Sequence, residues 1–194
     1  MAIRKDKIIV ADFEATCWEG FDAPQGQTNE IIEIGVCLLD PHTSPMMITD
    51  KRSILVKPTE SVVSPFCTEL TTITQAMVDE QGIAFDEACT ILEKDYDSRN
   101  HLWVAWGGWD KRFLLQQCKR RGVRYPFSKK YANLKRVFQE NHGQRLHFAA
   151  ALQAAMIEQT GTAHRGDDDA YNSATLLRHL FETYGAMILK RYGF

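Results

Sequence analysis

The sequence predicts an α/β fold, in which a mixed five-stranded sheet is flanked by helices. Strand-like segments come first along the chain and helical patterns then alternate with later strands, an order typical of such a sheet. The 194 residues, of which 44% are hydrophobic, suffice to bury one core. There is no repeat, low-complexity tract or convincing linker. We therefore predict a single domain over residues 1–194.

Five segments carry the apolar and β-branched residues that are typical of strands. The first three follow one another in the chain and should form an antiparallel meander, and the last two should add to the sheet in parallel. The predicted strands are residues 8–13, 30–39, 52–57, 102–106 and 131–135.

Helical patterns occupy four further segments, with apolar residues at helical spacing. They are residues 85–96, 109–121, 146–158 and 168–184. Gly122 directly follows the second of these and is a typical helix stop.

Charge and composition exclude several classes of protein. Charged residues make up 25% of the chain and the net charge is only -2, which argues against disorder and against a broad nucleic-acid-coating surface. A nucleic-acid partner would therefore bind to a small local site on the protein. The N-terminus has no 7 to 15 residue apolar core and no apolar run approaches about 18 residues. We expect a cytoplasmic protein with no membrane partner.

The cysteines form no CxxC pair and no zinc-like cluster, and most are flanked by apolar residues. Reduced, buried thiols are the expected state. They are Cys17, Cys37, Cys67, Cys89 and Cys118.

Two carboxylates end the first predicted strand, in the stretch IIVADFEATC. Residues two apart in a strand share a face, so Asp12 and Glu14 stand side by side while Phe13 points into the core. Bound cations would make this pair tolerable, and oxygen ligands suit Mg²⁺ or Mn²⁺. The spacing fits equally well a solvated strand end, or an N-cap for a short helix near Ala15.

A third acid, Asp110, stands where the strand of LWVAWGGWD gives way to a helix. Ligand sites in open sheets gather at such strand ends. Asp110 shares a helical stripe with Phe113, Leu114 and Cys118, which turns it inward. The alternative is an ordinary first-turn acid favoured by the helix dipole.

A further acidic cluster, HRGDDD, opens the last predicted helix. Asp169 heads the apolar stripe of Ser173, Leu176 and Leu180, so it should face the interior and serve as a ligand. Asp168 heads a polar stripe with Asn172, Thr175 and His179 and should face solvent. Asp167 is the expected N-cap.

His164 lies five residues before Asp169 in a polar loop. A lone loop histidine is usually a surface residue. Beside a cluster of metal-binding acids it would instead suit a general base, because imidazole exchanges protons near neutral pH.

The motifs DFEATC, WGGWD and HRGDDDAYN, in this order, resemble those of the DEDDh 3′-to-5′ exonucleases of the ribonuclease H-like superfamily. The resemblance extends to the Eri1-like branch, also called three-prime histone mRNA exonuclease-like, and covers residues 8 to about 184. It implies a ribonuclease H-like fold. It also implies that Asp12, Glu14, Asp110 and Asp169 bind two Mg²⁺ or Mn²⁺ ions and that His164 is the general base.

Residues 66–74 match the branch's F-C-x-x-L-T-x-I-T stretch, which lines the groove for the terminal nucleotides. Thr72 stands where the family often carries glycine, and Asp167 replaces a commonly apolar residue. The substrate-binding residues that we predict are Phe13, Ala15, Leu70, Ile73, Trp109 and Arg165.

The predicted function is metal-dependent hydrolysis at the 3′ end of single-stranded nucleic acid, RNA more than DNA, releasing nucleoside 5′-monophosphates. A protein partner could supply targeting. Two other functions fit the same residues. One is a ribonuclease H-like module that binds nucleic acid or protein without turnover, and the other is a nuclease restricted to very short oligonucleotides.

Overall fold

The computed structural model describes residues 3–20 and 22–194, and its framework is one mixed sheet of five strands in the order β3-β2-β1-β4-β5. β1 pairs antiparallel with β2, and β2 with β3, whereas β4 runs parallel to both β1 and β5. The predicted meander followed by parallel strands is thus confirmed. The strands are β1 (Arg4–Ala15), β2 (Ile31–Asp40), β3 (Met47–Leu55), β4 (His101–Ala105) and β5 (Tyr131–Asn133).

Helices cover both faces of this sheet. In the described residues they are α1 (Pro65–Thr71), α2 (Gln75–Glu80), α3 (Phe85–Asp95), α4 (Trp109–Arg121), α5 (Leu134–His142), α6 (Phe148–Ala154) and α7 (Gly166–Tyr184), followed by a 3₁₀ helix (Ala186–Tyr192). α4 has the predicted bounds. It ends at Gly122, whose φ of 64° lies in the left-handed region that favours glycine.

The central strand β1 is apolar on both faces because each face is covered. Ile8 and Val10 pack with α7, α5 and α6 residues on one side. Ile9, Ala11 and Phe13 pack with α3 and α4 residues on the other. Since strand residues alternate between faces, Asp12 and Glu14 lie on the α7 side.

Several predicted boundaries were wrong. β3 runs over Met47–Leu55 and not 52–57. The last strand is only three residues long, because the Asn133 side chain accepts a hydrogen bond from the Arg136 backbone N–H (3.1 Å) and starts α5. Helix α6 spans Phe148–Ala154 and not 146–158.

The sequence did not predict α5, the 3₁₀ helix or the two short helices α1 and α2. Ser64 caps α1 by accepting from the Cys67 N–H, and Thr74 caps α2 by accepting from the Met77 N–H. Serine or threonine before a short polar segment is a helix-start signal, but helices of six or seven residues carry too little periodicity to reveal themselves.

All five cysteines are free, and four are buried as expected. Cys17 is half-buried. Of the helices in the described part of the chain, none has the length and apolar character needed to cross a membrane.

Candidate active site

Asp12 and Glu14 are adjacent on the α7 face near the end of β1, where both are half-buried. Phe13 points to the opposite face, is 3% exposed, and packs edge-on against Trp103 at 6.5 Å between ring centroids. β1 continues to Ala15, and the Thr16 N–H then donates to the Glu30 carbonyl (2.8 Å). The two acids therefore lie neither at a solvated strand end nor at a helix N-cap.

A contact between two glycines brings α7 against this part of the sheet. Gly35 of β2 pairs with Asp12 of β1. A Cβ atom at Gly35 would lie only 1.8 Å from the carbonyl carbon of Gly166, the first residue of α7. Only glycine permits this approach. The N-terminus of α7 is thereby held over Asp12, one turn from Asp169.

Asp169 faces the interior, as predicted, and is 9% exposed. Its Oδ2 accepts a hydrogen bond from the backbone N–H of His164 (3.0 Å), whereas its buried Oδ1 has no hydrogen-bond partner in the described structure. Glu14, His164 and Asp169 each place one potential ligand atom within 4.8 Å of the others. A buried carboxylate oxygen without a hydrogen-bond partner, on a residue of such a group, fits a bound cation.

Asp110 joins the cluster from the first turn of α4. It is 4% exposed, and Leu114 and Cys118 on the same stripe are also buried, so the predicted inward orientation is confirmed. Burial raises the pKa of Asp110 to about 7, although hydrogen bonds from the backbone of Asp110 and Phe13 act in the opposite direction.

The clustered acids carry strongly perturbed pKa values. Burial, followed by repulsion from Asp110, Glu14 and Asp169, holds the pKa of Asp12 well above its usual range. Burial, with repulsion from Asp169 and Glu33, raises the pKa of Glu14 to about 9. Without cations the cluster must therefore take up protons at neutral pH, whereas divalent ions would let all four carboxylates ionise.

Glu33 is a fully buried acid that the sequence analysis missed. It pairs with Glu14 across β1 and β2. Its carboxylate binds the guanidinium of Arg165 and accepts from the Gly166 N–H (2.7 Å). The signal in the sequence was an acid inside an otherwise apolar strand, EIIEIGV. Arg165, predicted to hold the substrate backbone, has its guanidinium bound to Glu33 instead.

The five predicted catalytic residues converge on one cavity of about 370 Å³. Phe13, Ala15, Leu70 and Trp109 also line it, and their role in binding substrate stays a prediction. Leu70 is 38% and Trp109 44% exposed. Ile73, in contrast, is fully buried in a core cluster with Cys67 and Val78, so its predicted contact with substrate is wrong.

Two predictions for the acidic cluster of α7 need correction. Asp167 is not the N-cap, because α7 begins at Gly166 and Arg165 holds the cap position. Asp168 does not face solvent freely. Its carboxylate accepts from the Thr162 N–H (2.7 Å) and binds Lys51, and so anchors the loop before α7.

The loop that carries His164 is consequently fixed at both ends. Asp168 and Asp169 hold its backbone at Thr162 and His164. His164 itself has a φ of 60° and is exposed at the cavity.

Residues 9–177 match the model of the RNase T exonuclease family. The chain belongs to this exonuclease family. Human ERI1 exoribonuclease 2 is 32% identical over 88% of this chain and 28% of its own length. The 3′-5′ exonuclease Snipper of Drosophila melanogaster is 31% identical, over 88% of this chain and 67% of its own length. The chain thus spans between about a quarter and two thirds of these curated relatives.

Solved structures of exonucleases show the same architecture. The nuclease domain of 3′hExo, a DEDDh family member bound to rAMP, superposes with a TM-score of 0.83 at 30% identity, covering 95% of this exonuclease chain and 96% of that domain. The predicted resemblance to DEDDh exonucleases and the predicted ribonuclease H-like fold are both confirmed.

Proposed function

We propose that this chain is a 3′-to-5′ exonuclease that hydrolyses phosphodiester bonds at the 3′ end of single-stranded RNA and releases nucleoside 5′-monophosphates. The observation that carries the proposal is the convergence of four acids and one histidine, from three distant parts of the chain, on one cavity. Such a concentration of buried negative charge has no structural use unless cations neutralise it.

The acids fit two Mg²⁺ or Mn²⁺ ions, which would be held by Asp12, Glu14, Asp110 and Asp169. The donor set consists of oxygen atoms, and the Oδ1 atom of Asp169 lacks a protein partner in the described structure. When bound, the ions would supply Lewis-acid activation of water and neutralise charge at the departing 3′ oxygen.

The remaining residues would position the strand and move a proton. His164, exposed at the rim, is placed to accept the proton of the attacking water through a ring nitrogen near Glu14 and Asp169. Trp109 and Leu70 present apolar surface on which the terminal bases can stack or pack.

The relatives support RNA as the substrate. The human relatives carry the names ERI1 exoribonuclease 2 and 3′-5′ exoribonuclease 1, the latter 33% identical to this chain. The 3′hExo nuclease domain was solved with rAMP, and a structure of 28% identity concerns 3′-end specific recognition of a histone mRNA stem-loop.

The test is hydrolysis of 5′-labelled RNA and DNA oligonucleotides with Mg²⁺, Mn²⁺ or EDTA. We expect Asp12→Asn and Asp169→Asn to abolish degradation without changing the circular dichroism spectrum. Asp167→Asn, the same chemical change on the same helix, is the matched control and should retain activity. Full activity in EDTA or in either active-site variant would overturn the proposal.

The same panel separates the two alternatives. A binding module would retain the oligonucleotides without degrading them under any metal condition. A nuclease for very short substrates would degrade a two-residue strand much faster than a twenty-residue strand.

A further inference from the structure

A second cavity, of about 670 Å³, adjoins the catalytic cavity. The two share Trp106 and Trp109 in their linings, so they meet at the start of α4. Its outer part lies between the β4–α4 loop and α5. We call this part the basic groove and define it by Arg112, Lys135, Arg136, Glu140 and Arg145.

The basic groove holds an excess of positive charge in a chain whose net charge is -2. Its single carboxylate, Glu140, binds Arg136 (2.9 Å) and also Arg191 (2.7 Å). Among the described residues, no carboxylate lies within 4.0 Å of the cationic groups of Arg112, Lys135 or Arg145. The positive charges of these three side chains are therefore not neutralised by a carboxylate of the described chain, and the one hydrogen bond from Arg112 goes from Nε to the neutral Gly108 carbonyl (3.3 Å).

A hydrogen bond and an aromatic stack hold the residues where the two cavities meet. The Tyr131 hydroxyl donates to the Gly107 carbonyl, and Gly107 has a φ of 91°, which favours glycine. Trp109 stacks on Phe113 with ring centroids 4.6 Å apart. A strand leaving the catalytic cavity would therefore pass an aromatic surface before it reaches the cations.

We propose that the basic groove binds the phosphodiester backbone of single-stranded nucleic acid upstream of the terminal nucleotide, through Arg112, Lys135 and Arg145. This inference rests on the proposed function, because it assumes that the 3′ end occupies the catalytic cavity. Phosphate contacts of this kind position a strand without reading its sequence. The groove would thus favour longer strands over dinucleotides.

Another cavity also meets the catalytic one, sharing Cys17, Asn29 and Trp109, and offers a different exit. Its cation, Arg120, is already engaged. The guanidinium donates to the Thr28 hydroxyl (3.1 Å) and the Asn29 carbonyl (3.1 Å), and it lies 3.6 Å from Glu60. Free positive charge therefore favours the basic groove as the path of the strand.

The test measures binding of a 5′-fluorescent twenty-residue RNA by anisotropy in EDTA. The variant combines Arg112→Gln, Lys135→Gln and Arg145→Gln, and the control combines Lys119→Gln, Arg124→Gln and Lys129→Gln, which removes the same charge from exposed positions outside the groove. We expect the Kd of the groove variant to rise on the order of tenfold near 0.1 M salt, and the slope of log K against log salt to fall by about 2. The control should bind within about twofold of the natural protein.

Equal weakening in both variants would overturn the proposal, because net charge alone would then explain the effect. So would displacement of the RNA by polyglutamate of equal charge at equal concentration, which would indicate an acidic protein partner. Because binding is measured without metal, a natural protein that binds through the groove and fails to hydrolyse would overturn the proposed function only. With metal present, the groove variant should hydrolyse a dinucleotide at the natural rate.

Discussion

Arg165 binds Glu33 through two guanidinium nitrogens, with Nη2 2.9 Å from Oε1 and Nε 3.3 Å from both carboxylate oxygens. Glu33 is fully buried next to Glu14, so this pair neutralises one acid at the edge of the catalytic cluster. Its location also ties the residue that follows His164 to the centre of the sheet. Arg165 of the HRGDDD motif therefore stabilises the fold of the site, and its guanidinium is occupied by Glu33 and not available to a substrate.

Arg165→Met should destabilise the protein by about 3–5 kcal/mol, because it leaves a buried carboxylate without its partner. Urea denaturation monitored by circular dichroism measures this loss. The double variant Glu33→Gln/Arg165→Met should recover part of the stability, since it removes the unpaired charge as well. If Arg165 instead bound the RNA substrate, Arg165→Met would raise KM for long RNA and leave the stability of the protein unchanged.

The contact between Gly35 and Gly166 predicts how strongly alanine destabilises the protein at each of three glycine positions. A Cβ at Gly35 would meet the Gly166 backbone at 1.8 Å, and one at Gly166 would meet the Gly35 nitrogen at 2.9 Å. At Gly108 the nearest atom is the Asn133 amide nitrogen at 3.8 Å. Overpacking typically costs about 1–3 kcal/mol and more where backbone must move. Thermal denaturation should therefore give the largest fall in Tm for Gly35→Ala, a smaller one for Gly166→Ala and the least for Gly108→Ala.

The raised carboxyl pKa values predict that metal-free protein loses stability as pH rises. Glu14, with a pKa of about 9, and Asp110, with a pKa of about 7, hold protons in the folded state that they release in the unfolded state above about pH 4 to 5. The folded protein therefore binds more protons than the unfolded chain across this window, and stability falls as pH rises towards 9.

Scans of Tm in EDTA between pH 5 and pH 9 measure this effect. Addition of Mn²⁺ should raise Tm most at the alkaline end, because the ionised acids bind it best. The Asp12→Asn variant should show a flatter dependence on pH. A metal-free Tm that increases steadily up to pH 9 would contradict the predicted repulsion.

The sequence predicted the site better than the edges of the elements that carry it. Period-2 and period-3.6 patterns fixed the faces on which Asp12, Glu14, Asp110 and Asp169 lie, and the resemblance to DEDDh exonucleases implied that the four form one set. Periodicity does not fix where an element ends. The cap of α5 at Asn133 lies inside the predicted strand of residues 131–135, and a local side-chain hydrogen bond decided the outcome.

The sequence could not predict which residues that are far apart in the chain contact one another. Glu33 and Arg165 are 132 residues apart, and nothing local distinguishes an arginine that binds phosphate from one that neutralises a buried acid. Ile73 presents the same difficulty. Its family motif suggested contact with nucleotides, whereas the fold buries it against α1 and α2.

Leu70 and Ile73 can be separated experimentally because one is exposed at the cavity and the other is core. Leu70→Ala should raise KM for RNA while Tm stays close to that of the natural protein, since a 38% exposed side chain adds little to the core. Ile73→Ala should cost about 2–5 kcal/mol of stability through the cavity it creates. Steady-state kinetics and urea denaturation of both variants show which side chain binds substrate and which stabilises the core. An equal loss of stability in the two would place Leu70 in the core as well.

His164 adopts a φ of 60°, a conformation that glycine tolerates without strain, so His164→Gly removes the imidazole and preserves the backbone. Loss of a general base typically lowers kcat by about 10²–10⁴. The backbone N–H that donates to Asp169 remains in this variant, so Tm and RNA binding in EDTA should match the natural protein. Because the histidine side chain is exposed at the cavity, added imidazole can diffuse into the vacated space and should restore part of the rate. A variant that keeps its full rate would show that His164 is not the general base. One that gains nothing from imidazole while losing its affinity for RNA would show that His164 acts in binding and not in proton transfer.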